Sequence, residues 1–232
     1  RCESRGLYLF LYICAKCYFL TYKHSSMEKN IENSLVKDLE GFEKELHSRE
    51  IENYMAAVSE ISHSNSSEVF SNSGNVHAAI IFSHIFSKSK SIVRILAGNM
   101  YNVVTLSNVY QDALLAFLGR KDTRLHILLN SDQLEEIKIP AIQDSIFKKL
   151  QPYASKIAIR KTKRELKRDG KIIHLCIGDQ SMYRLETDPK HRHAEVCLND
   201  ADYINIYLIP AYEKLFSLDE GAIECQCETI YN

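Results

Sequence analysis

Ile172-Ile173-His174-Leu175-Cys176-Ile177-Gly178-Asp179 is the stretch that decides the fold, and Met182-Tyr183-Arg184-Leu185-Glu186 follows it closely. Its β-branched and aliphatic residues predict a buried strand over 171–177, and the second stretch predicts another strand over 181–186. Gly178 and Asp179 are typical turn residues, because glycine tolerates unusual backbone angles and an aspartate side chain bonds to nearby amides. Residues 172–186 are therefore predicted to form a β-hairpin.

Predicted helices and strands alternate in the chain before this hairpin. The helices are Val76–Phe86, Ser107–Leu118 and Pro140–Leu150, and the strands are Ser91–Ala97, Arg124–Leu129 and Lys156–Arg160. A strand at His193–Leu198, a helix at Ala201–Phe216 and an extended tail at Ala222–Ile230 follow the hairpin. This order predicts an α/β protein with a mixed, largely parallel sheet flanked by helices.

The region before this alternation predicts an amphipathic helix over Glu28–Ile61. Its apolar residues recur at spacings of three and four, as in Leu35, Leu39, Phe42 and Leu46, which places them on one face. This helical arm is expected to lie on the domain or on a partner. The predicted units are an apolar segment 1–26, the arm 27–62, an α/β domain 70–218 and a tail 219–232.

Composition sets limits on compartment and partners. The net charge of −1 argues against a protein that coats nucleic acid over its whole surface, but it permits local basic patches. Seven cysteines are an odd number, and Cys176 and Cys197 lie in apolar runs, so buried free thiols and a cytoplasmic location are predicted. Two cysteine pairs, Cys14 with Cys17 and Cys225 with Cys227, lie too far apart in the chain to favour a metal site. No cofactor or metal is expected.

Residues 6–22 are strongly apolar and aromatic, interrupted by Lys16. Seventeen residues are at the lower limit for a membrane span. Met27 then opens a polar, helix-forming segment. We favour Met27 as the natural start, with upstream read-through before it; the alternatives are a membrane anchor and a packed helix or strand.

The order of elements resembles one half of the phospholipase D superfamily, the half-domain found alone in small Nuc-type endonucleases. The resemblance covers about residues 70–218. It rests on Val76–Ala97, on Ala113–Leu129, and on the hairpin 172–186 with the strand and helix that follow it. It implies a scaffold built for phosphodiester chemistry. It also implies a homodimer, because two signatures from two halves or two subunits meet at one active site in that family.

The signature of that family is His-x-Lys-x4-Asp, in which the histidine attacks phosphorus and the lysine neutralises phosphate oxygens. The resemblance places Ile172 at the histidine position, His174 at the lysine position and Asp179 at the acid position. Isoleucine has no nucleophilic atom. A register with His174 as nucleophile would put Cys176 and Ser181 at the other two positions. The signature is therefore predicted to be degenerate.

His174 and Asp179 are the candidate catalytic residues. His174 alternates onto the same strand face as Ile172 and could contact a phosphate there. The structural alternatives are a satisfied cleft histidine and an aspartate that forms the turn. Arg184 and Glu186 are expected to form a cross-strand ion pair. His191, Arg192 and His193 form a polar cluster that can bind phosphate or metal, but a solvated loop is favoured.

A basic run leads into the hairpin and is the candidate binding site for nucleic acid or phosphate. It contains Lys156, Arg160, Lys161, Lys163, Arg164, Lys167, Arg168 and Lys171. Eight cations against Glu165 and Asp169 leave a local charge of +6. Such a run attracts a nucleic-acid backbone by releasing counterions. The alternative is a solvated basic loop balanced by the acidic arm at 28–60.

Two functions follow from these observations. The first is a catalytically degenerate phospholipase D-like module that binds nucleic acid or a phosphorylated ligand, or acts as a dimeric scaffold. The second is an active phosphodiesterase or nuclease that uses His174 in a non-standard site. A membrane-tethered form of either depends on residues 6–22.

Overall fold

The structure is a computed structural model that describes residues 34–98, 100, 102–130, 149–219 and 222–224. The predictions for residues 6–22, for Met27 and for the two outer cysteine pairs lie outside these residues. The same is true of nearly all of the predicted helix Pro140–Leu150 and of the tail beyond 224. In the part of the chain that is described, no helix has the length and apolar character needed to cross a membrane.

Two helices replace the predicted single helix of the arm. Helix α1 occupies 34–46 and α2 is Arg49–His63. The break falls at Ser48, whose hydroxyl accepts a hydrogen bond from the amide of Ile51 and thereby caps a new helix. Phe42, Ile51 and Val58 are buried in the same core cluster as the helices of the α/β domain. The arm therefore contributes to the core of the domain.

The elements of the central region follow the predicted alternation closely. In chain order they are β1 (Phe70–Asn72), α3 (Asn75–Lys88), β2 (Ile92–Ala97), α4 (Val103–Leu106), α5 (Asn108–Gly119) and β3 (Arg124–Leu129). The hydroxyl of Ser107 accepts from the amide of Tyr110 and caps α5. The predicted strand Arg124–Leu129 is confirmed residue for residue.

The last third of the chain is mostly strand. A 3-10 helix (Gln151–Lys156) precedes β4 (Ile157–Lys161), β5 (Lys167–Arg168), β6 (Lys171–Ile172), β7 (His174–Gly178), β8 (Met182–Asp188) and β9 (His193–Cys197). The C-terminal helix runs through Ala201–Tyr203, a π-helical segment Ile204–Leu208 and Ile209–Phe216, and β10 (Ile223–Glu224) ends the described chain.

Eight strands form one sheet in the order β1-β9-β8-β7-β2-β3-β4-β10, and β5 pairs with β6 separately. The α/β class and the mixed, helix-flanked sheet are confirmed. Parallel pairing is confined to β2 with β3 and β3 with β4, and the other five pairings of this sheet among the described residues are antiparallel. More strand pairings are antiparallel than the sequence predicts, because short turns join β7, β8 and β9.

Helices cover both faces of the sheet. Helices α3 and α5 bury Ile81, Phe86 and Phe117 on one face, and the C-terminal helix buries Tyr212 and Phe216 on the other. Cys176 and Cys197 are buried free thiols, as predicted. Because β7 runs antiparallel to β2, the first residue of β7 lies at the edge where the parallel strands end. Ligands of open α/β sheets bind at the carboxyl ends of parallel strands, so a ligand site is expected at this edge.

Candidate functional site

The hairpin places a histidine opposite a glutamate at this edge. His174 on β7 pairs with Glu186 on β8, and their side chains share one face of the sheet. The Nδ1 atom of His174 lies 2.9 Å from Oε2 of Glu186. The His174 side chain is 21% exposed and that of Glu186 only 3% exposed. The Nε2 atom lies against Gly98, where a Cβ would approach it to 3.5 Å.

Two arginines share the carboxylate of Glu186. Nη2 of Arg184 donates to Oε1 of Glu186 at 3.0 Å and to the carbonyl oxygen of Arg192 at 3.0 Å. Nη1 of Arg192 lies 3.6 Å from the other carboxylate oxygen. The guanidinium of Arg184 also lies 5.3 Å from the ring centroid of Phe82, a favourable cation–π arrangement. The predicted ion pair of Arg184 and Glu186 thus runs along one strand, and the cross-strand partner of Glu186 is His174.

A cavity of about 180 Å³ lies between these charged groups and the helices. Its charged wall consists of His174, Arg184, Glu186 and Arg192. Its apolar wall includes Phe82, Ile95, Met100, Val104 and Tyr110. Two guanidiniums around one carboxylate leave an excess of positive charge beside an apolar wall.

The charge states of the cluster follow from its contacts. Burial alone would raise the pKa of Glu186, but the hydrogen bond from His174 and the charges of Arg184 and Arg192 outweigh burial and hold the pKa below its ordinary value. The carboxylate is therefore ionised and can only accept, so Nδ1 of His174 carries the hydrogen of their bond. Burial lowers the pKa of Arg184, and the carboxylate of Glu186 opposes that effect. A guanidinium keeps its charge in proteins at neutral pH.

Asp179 lies at the other end of β7 from His174. Its carboxylate accepts hydrogen bonds from the amides of Lys90, Ser91 and Ile92 and from the hydroxyl of Ser91, at 2.6 to 2.9 Å. Burial would raise the pKa of Asp179, but these four hydrogen bonds together lower it. The structure does not bring the two candidate catalytic residues together. The observed contacts are those of a turn residue that ties the hairpin to the start of β2.

Ile172 does not share a strand face with His174. The predicted strand 171–177 is interrupted at Ile173, whose amide donates to the carbonyl oxygen of Leu166. Ile172 belongs to the small β5–β6 sheet and is 39% exposed. The assumption of one continuous strand was therefore wrong.

The basic run does not form one surface. Lys156 donates to the carbonyl oxygens of Leu118 and Arg120 at the end of α5. Arg160 donates to the carbonyl oxygen of Phe216. Lys167 pairs with Glu165 and Arg168 with Glu195. The other four cations are Lys161, Lys163, Arg164 and Lys171, and all but Lys161 are exposed.

Sequence reasoning missed Glu186 as a site residue and favoured a solvated loop for Arg192. A usable signal for Glu186 was present, because a three-residue turn over 179–181 sets a register in which His174 faces Glu186. Arg192 carried no such signal. It reaches the cavity from a turn with a positive φ of 56°, and its polar neighbours are typical of any solvated loop.

No family model and no curated protein matches the sequence. Solved structures with a similar fold include TrmBL2, an archaeal chromatin protein described as showing a novel mode of DNA binding, at 16% identity and a TM-score of 0.44 over 85% of this chain and 71% of that one. Phosphatidylserine synthase of Haemophilus influenzae Rd KW20 is 8% identical, with a TM-score of 0.46 over 68% of this chain and 39% of that one. NucT from Helicobacter pylori is 13% identical, with a TM-score of 0.46 over 68% of this chain and all of that one. These similarities are in the path of the backbone. They say nothing about the chemistry of the cavity.

Proposed function

We propose that this chain is a phospholipase D-like module that binds the phosphate group of a ligand in the cavity beside His174. The observation that carries the proposal is the convergence of Arg184, Arg192 and His174 on one buried carboxylate. Planar guanidiniums are the preferred partners of phosphate, because their donors match its oxygens. Glu186 carries one negative charge against two guanidiniums, so the charged wall keeps a net positive charge that attracts a further anion.

Binding without turnover is the favoured form of this function. The residue aligned with the family nucleophile is Ile172, which is on a separate small sheet and is not among the residues that line the cavity. Asp179 makes structural hydrogen bonds at the far end of β7. In this proposal the catalytic signature is degenerate, and the cavity still binds phosphate.

Active phosphodiester cleavage is the second candidate. Glu186 holds Nδ1 of His174, so the other ring nitrogen, Nε2, is the one with a lone pair. A carboxylate that fixes the tautomer of a histidine is a recurrent arrangement in nucleophilic and general-base catalysis. In such an enzyme Nε2 would attack phosphorus and expel one ester oxygen as an alkoxide, which takes a proton from water. A second water would then cleave the P–N bond and release the phosphate monoester, with Arg184 and Arg192 stabilising the charge on the phosphate oxygens in both steps.

Nucleic acid and a small phosphorylated molecule are both sources of such a phosphate. The exposed cations Lys163, Arg164 and Lys171 on and near the β5–β6 hairpin favour a nucleic-acid backbone. The charged cavity favours a single phosphate group. We further propose a cytoplasmic homodimer, as the resemblance to single half-domains implies.

One experiment tests binding and cleavage together. The protein is titrated by calorimetry with inorganic phosphate, and bis(p-nitrophenyl) phosphate is added separately to detect released p-nitrophenolate. Arg192→Gln should weaken phosphate binding by about 10- to 150-fold, since a hydrogen bond to a charged group contributes roughly 1.5–3 kcal/mol. Lys190→Gln is the matched control, because Lys190 is an exposed cation on the same turn. Its affinity should be unchanged.

The outcomes separate the candidates. Phosphate binding that depends on Arg192, without release of nitrophenolate, supports the binding module. Release that is lost in His174→Ala would replace it by the phosphodiesterase. If Arg192→Gln and Lys190→Gln bound phosphate with equal affinity, a phosphate site in this cavity would be refuted. The same conclusion would follow if the parent protein bound no phosphate.

A further inference from the structure

Two buried polar atoms of the cavity-lining residues have no hydrogen-bond partner in the part of the chain that is described. One is Nε of Arg184 and the other is the hydroxyl of Tyr110. Tyr110 has no exposed surface and Arg184 only 3%. An unpaired buried polar group costs free energy, so each such group in a folded protein needs an explanation.

The two atoms belong to one continuous cluster. The guanidinium of Arg184 lies over the ring of Phe82, and the ring centroids of Phe82 and Tyr110 are 5.2 Å apart. Arg184 belongs to the charged wall and Tyr110 to the apolar wall. Both atoms are covered in the protein without ligand. A ligand that extends from one wall to the other would meet them once the side chains over them shift, with a donor at one end and a hydroxyl, which both donates and accepts, at the other.

The size of the cavity limits that ligand. A volume of about 180 Å³ is below the roughly 300–1,000 Å³ of pockets that hold drug-sized ligands. A phosphate with a short organic group fits this volume, whereas a polynucleotide could place only one phosphate in it. The apolar wall favours an organic group that is small and only partly polar.

We infer that the cavity takes a small hydroxylated organophosphate, with its phosphate at Arg184 and Arg192 and its hydroxyl at Tyr110. This inference rests on the proposed phosphate site and adds the class of ligand. A phosphate oxygen accepts from Nε of Arg184. A ligand hydroxyl pairs with that of Tyr110, so Tyr110 selects hydroxylated ligands over apolar ones of the same length.

The test compares glycerol 3-phosphate with n-propyl phosphate, which has the same carbon chain without hydroxyls. The parent protein should bind glycerol 3-phosphate about fivefold more tightly, the equivalent of one net hydrogen bond. Tyr110→Phe should remove this preference and leave the affinity for n-propyl phosphate within twofold. Its midpoint of urea unfolding without ligand should be equal or higher, because the variant lacks an unpaired buried hydroxyl.

Tyr54→Phe is the control. The hydroxyl of Tyr54 is also buried without a partner among the described residues, but Tyr54 does not line the cavity. Both affinities should stay within twofold in this variant. A change as large as that in Tyr110→Phe would contradict a direct role of Tyr110.

The failures of the two proposals are distinguishable. Equal affinity of the parent protein for the two esters, with binding that still depends on Arg192, would overturn the ligand class and leave the phosphate site in place. A water molecule on Tyr110 would give that result. Tighter binding of a 5′-phosphorylated single strand than of glycerol 3-phosphate would overturn the ligand class in favour of nucleic acid. Absence of all phosphate binding would overturn both proposals.

Discussion

Asp179 ties the turn of the hairpin to the start of β2 through its side chain. Its carboxylate accepts four hydrogen bonds from residues 90–92, nearly ninety positions earlier in the chain. Asp179→Asn should lower the free energy of unfolding by about 1–3 kcal/mol, because asparagine has no negative charge and its amide nitrogen cannot accept the bond that Oδ2 takes from the amide of Lys90. Its positive φ of 51° is tolerated by asparagine, so the substitution removes one acceptor oxygen and the charge but keeps the turn. Urea unfolding at neutral pH measures the loss.

The pH dependence gives a second readout for the same residue. The fold lowers the pKa of Asp179 from its ordinary value of 3.8. Its contribution to stability is therefore complete above that value and is lost as the pH falls through the lower folded pKa. The parent protein should lose its advantage over Asp179→Asn in that range. Asp169→Asn is the control, since Asp169 also has a positive φ but is exposed. An equal loss of stability in both variants would contradict this account.

Sequence reasoning at the scale of the residue identified turn formers but not their partners. Asp179 was recognisable as a turn residue from its type. The amides that it bonds could not be predicted, because they belong to a strand that only the tertiary fold brings near. The catalytic role considered for His174 and Asp179 stays a prediction, and the structure gives the two residues separate surroundings.

At the scale of elements, Gly178 sets how closely β7 approaches α3. A Cβ at this position would lie 2.5 Å from Oγ of Ser89, 2.7 Å from Cγ2 of Ile85 and 3.0 Å from Cε of Met182. Ser89 and Ile85 are fully buried, so neither can move aside easily. Gly178→Ala should lower the free energy of unfolding by about 1–3 kcal/mol through overpacking. Thermal and urea unfolding would measure this loss.

Gly41 is the matched control, because it lies in helix α1 and a Cβ there would meet nothing within 4 Å. Gly41→Ala should raise the free energy of unfolding by about 0.5–1 kcal/mol, since alanine favours the helix. If both variants changed stability in the same direction, the contrast between crowded and open glycines would be refuted.

Periodicity predicted the type of the longer described elements, but it missed short ones such as β1, α4 and β5 and the interruptions of longer ones. The arm was predicted as one helix and is divided at Ser48, whose backbone is extended and whose hydroxyl caps α2. The strand 171–177 was predicted as one piece and is divided at Ile173, whose amide bonds outside the main sheet. Local hydrogen bonds accompany both interruptions, and a pattern of apolar residues does not record such bonds.

At the scale of the whole molecule, the sequence predicted the layers and missed the pairing. Alternating helices and strands sufficed for the α/β class, and the short turns after residue 178 indicated an antiparallel portion. The order of strands places β7 between β8 and β2, and this crossover creates the edge that holds the cavity. Long-range pairing of this kind depends on how two faces are covered, and local sequence does not encode it.

The arm and the α/β domain are separate units in the sequence prediction, and we propose that they unfold together. Ile51 of α2 is 1% exposed and belongs to the core cluster that includes Ile81 and Phe86. Ile51→Ala should lower the free energy of unfolding of the whole protein by about 2–5 kcal/mol, the usual cost of truncating a buried aliphatic side chain.

Met55 provides the comparison, because it lies on the same helix and is 49% exposed. Met55→Ala should change the free energy of unfolding by less than about 0.5 kcal/mol. Unfolding would be followed by circular dichroism, which reports helices, and by tyrosine fluorescence. If arm and domain are one unit, the Ile51→Ala transition stays single and coincident in both signals and shifts as a whole. An early loss of helix signal with an unshifted main transition would instead make the arm an independent segment that rests on the domain.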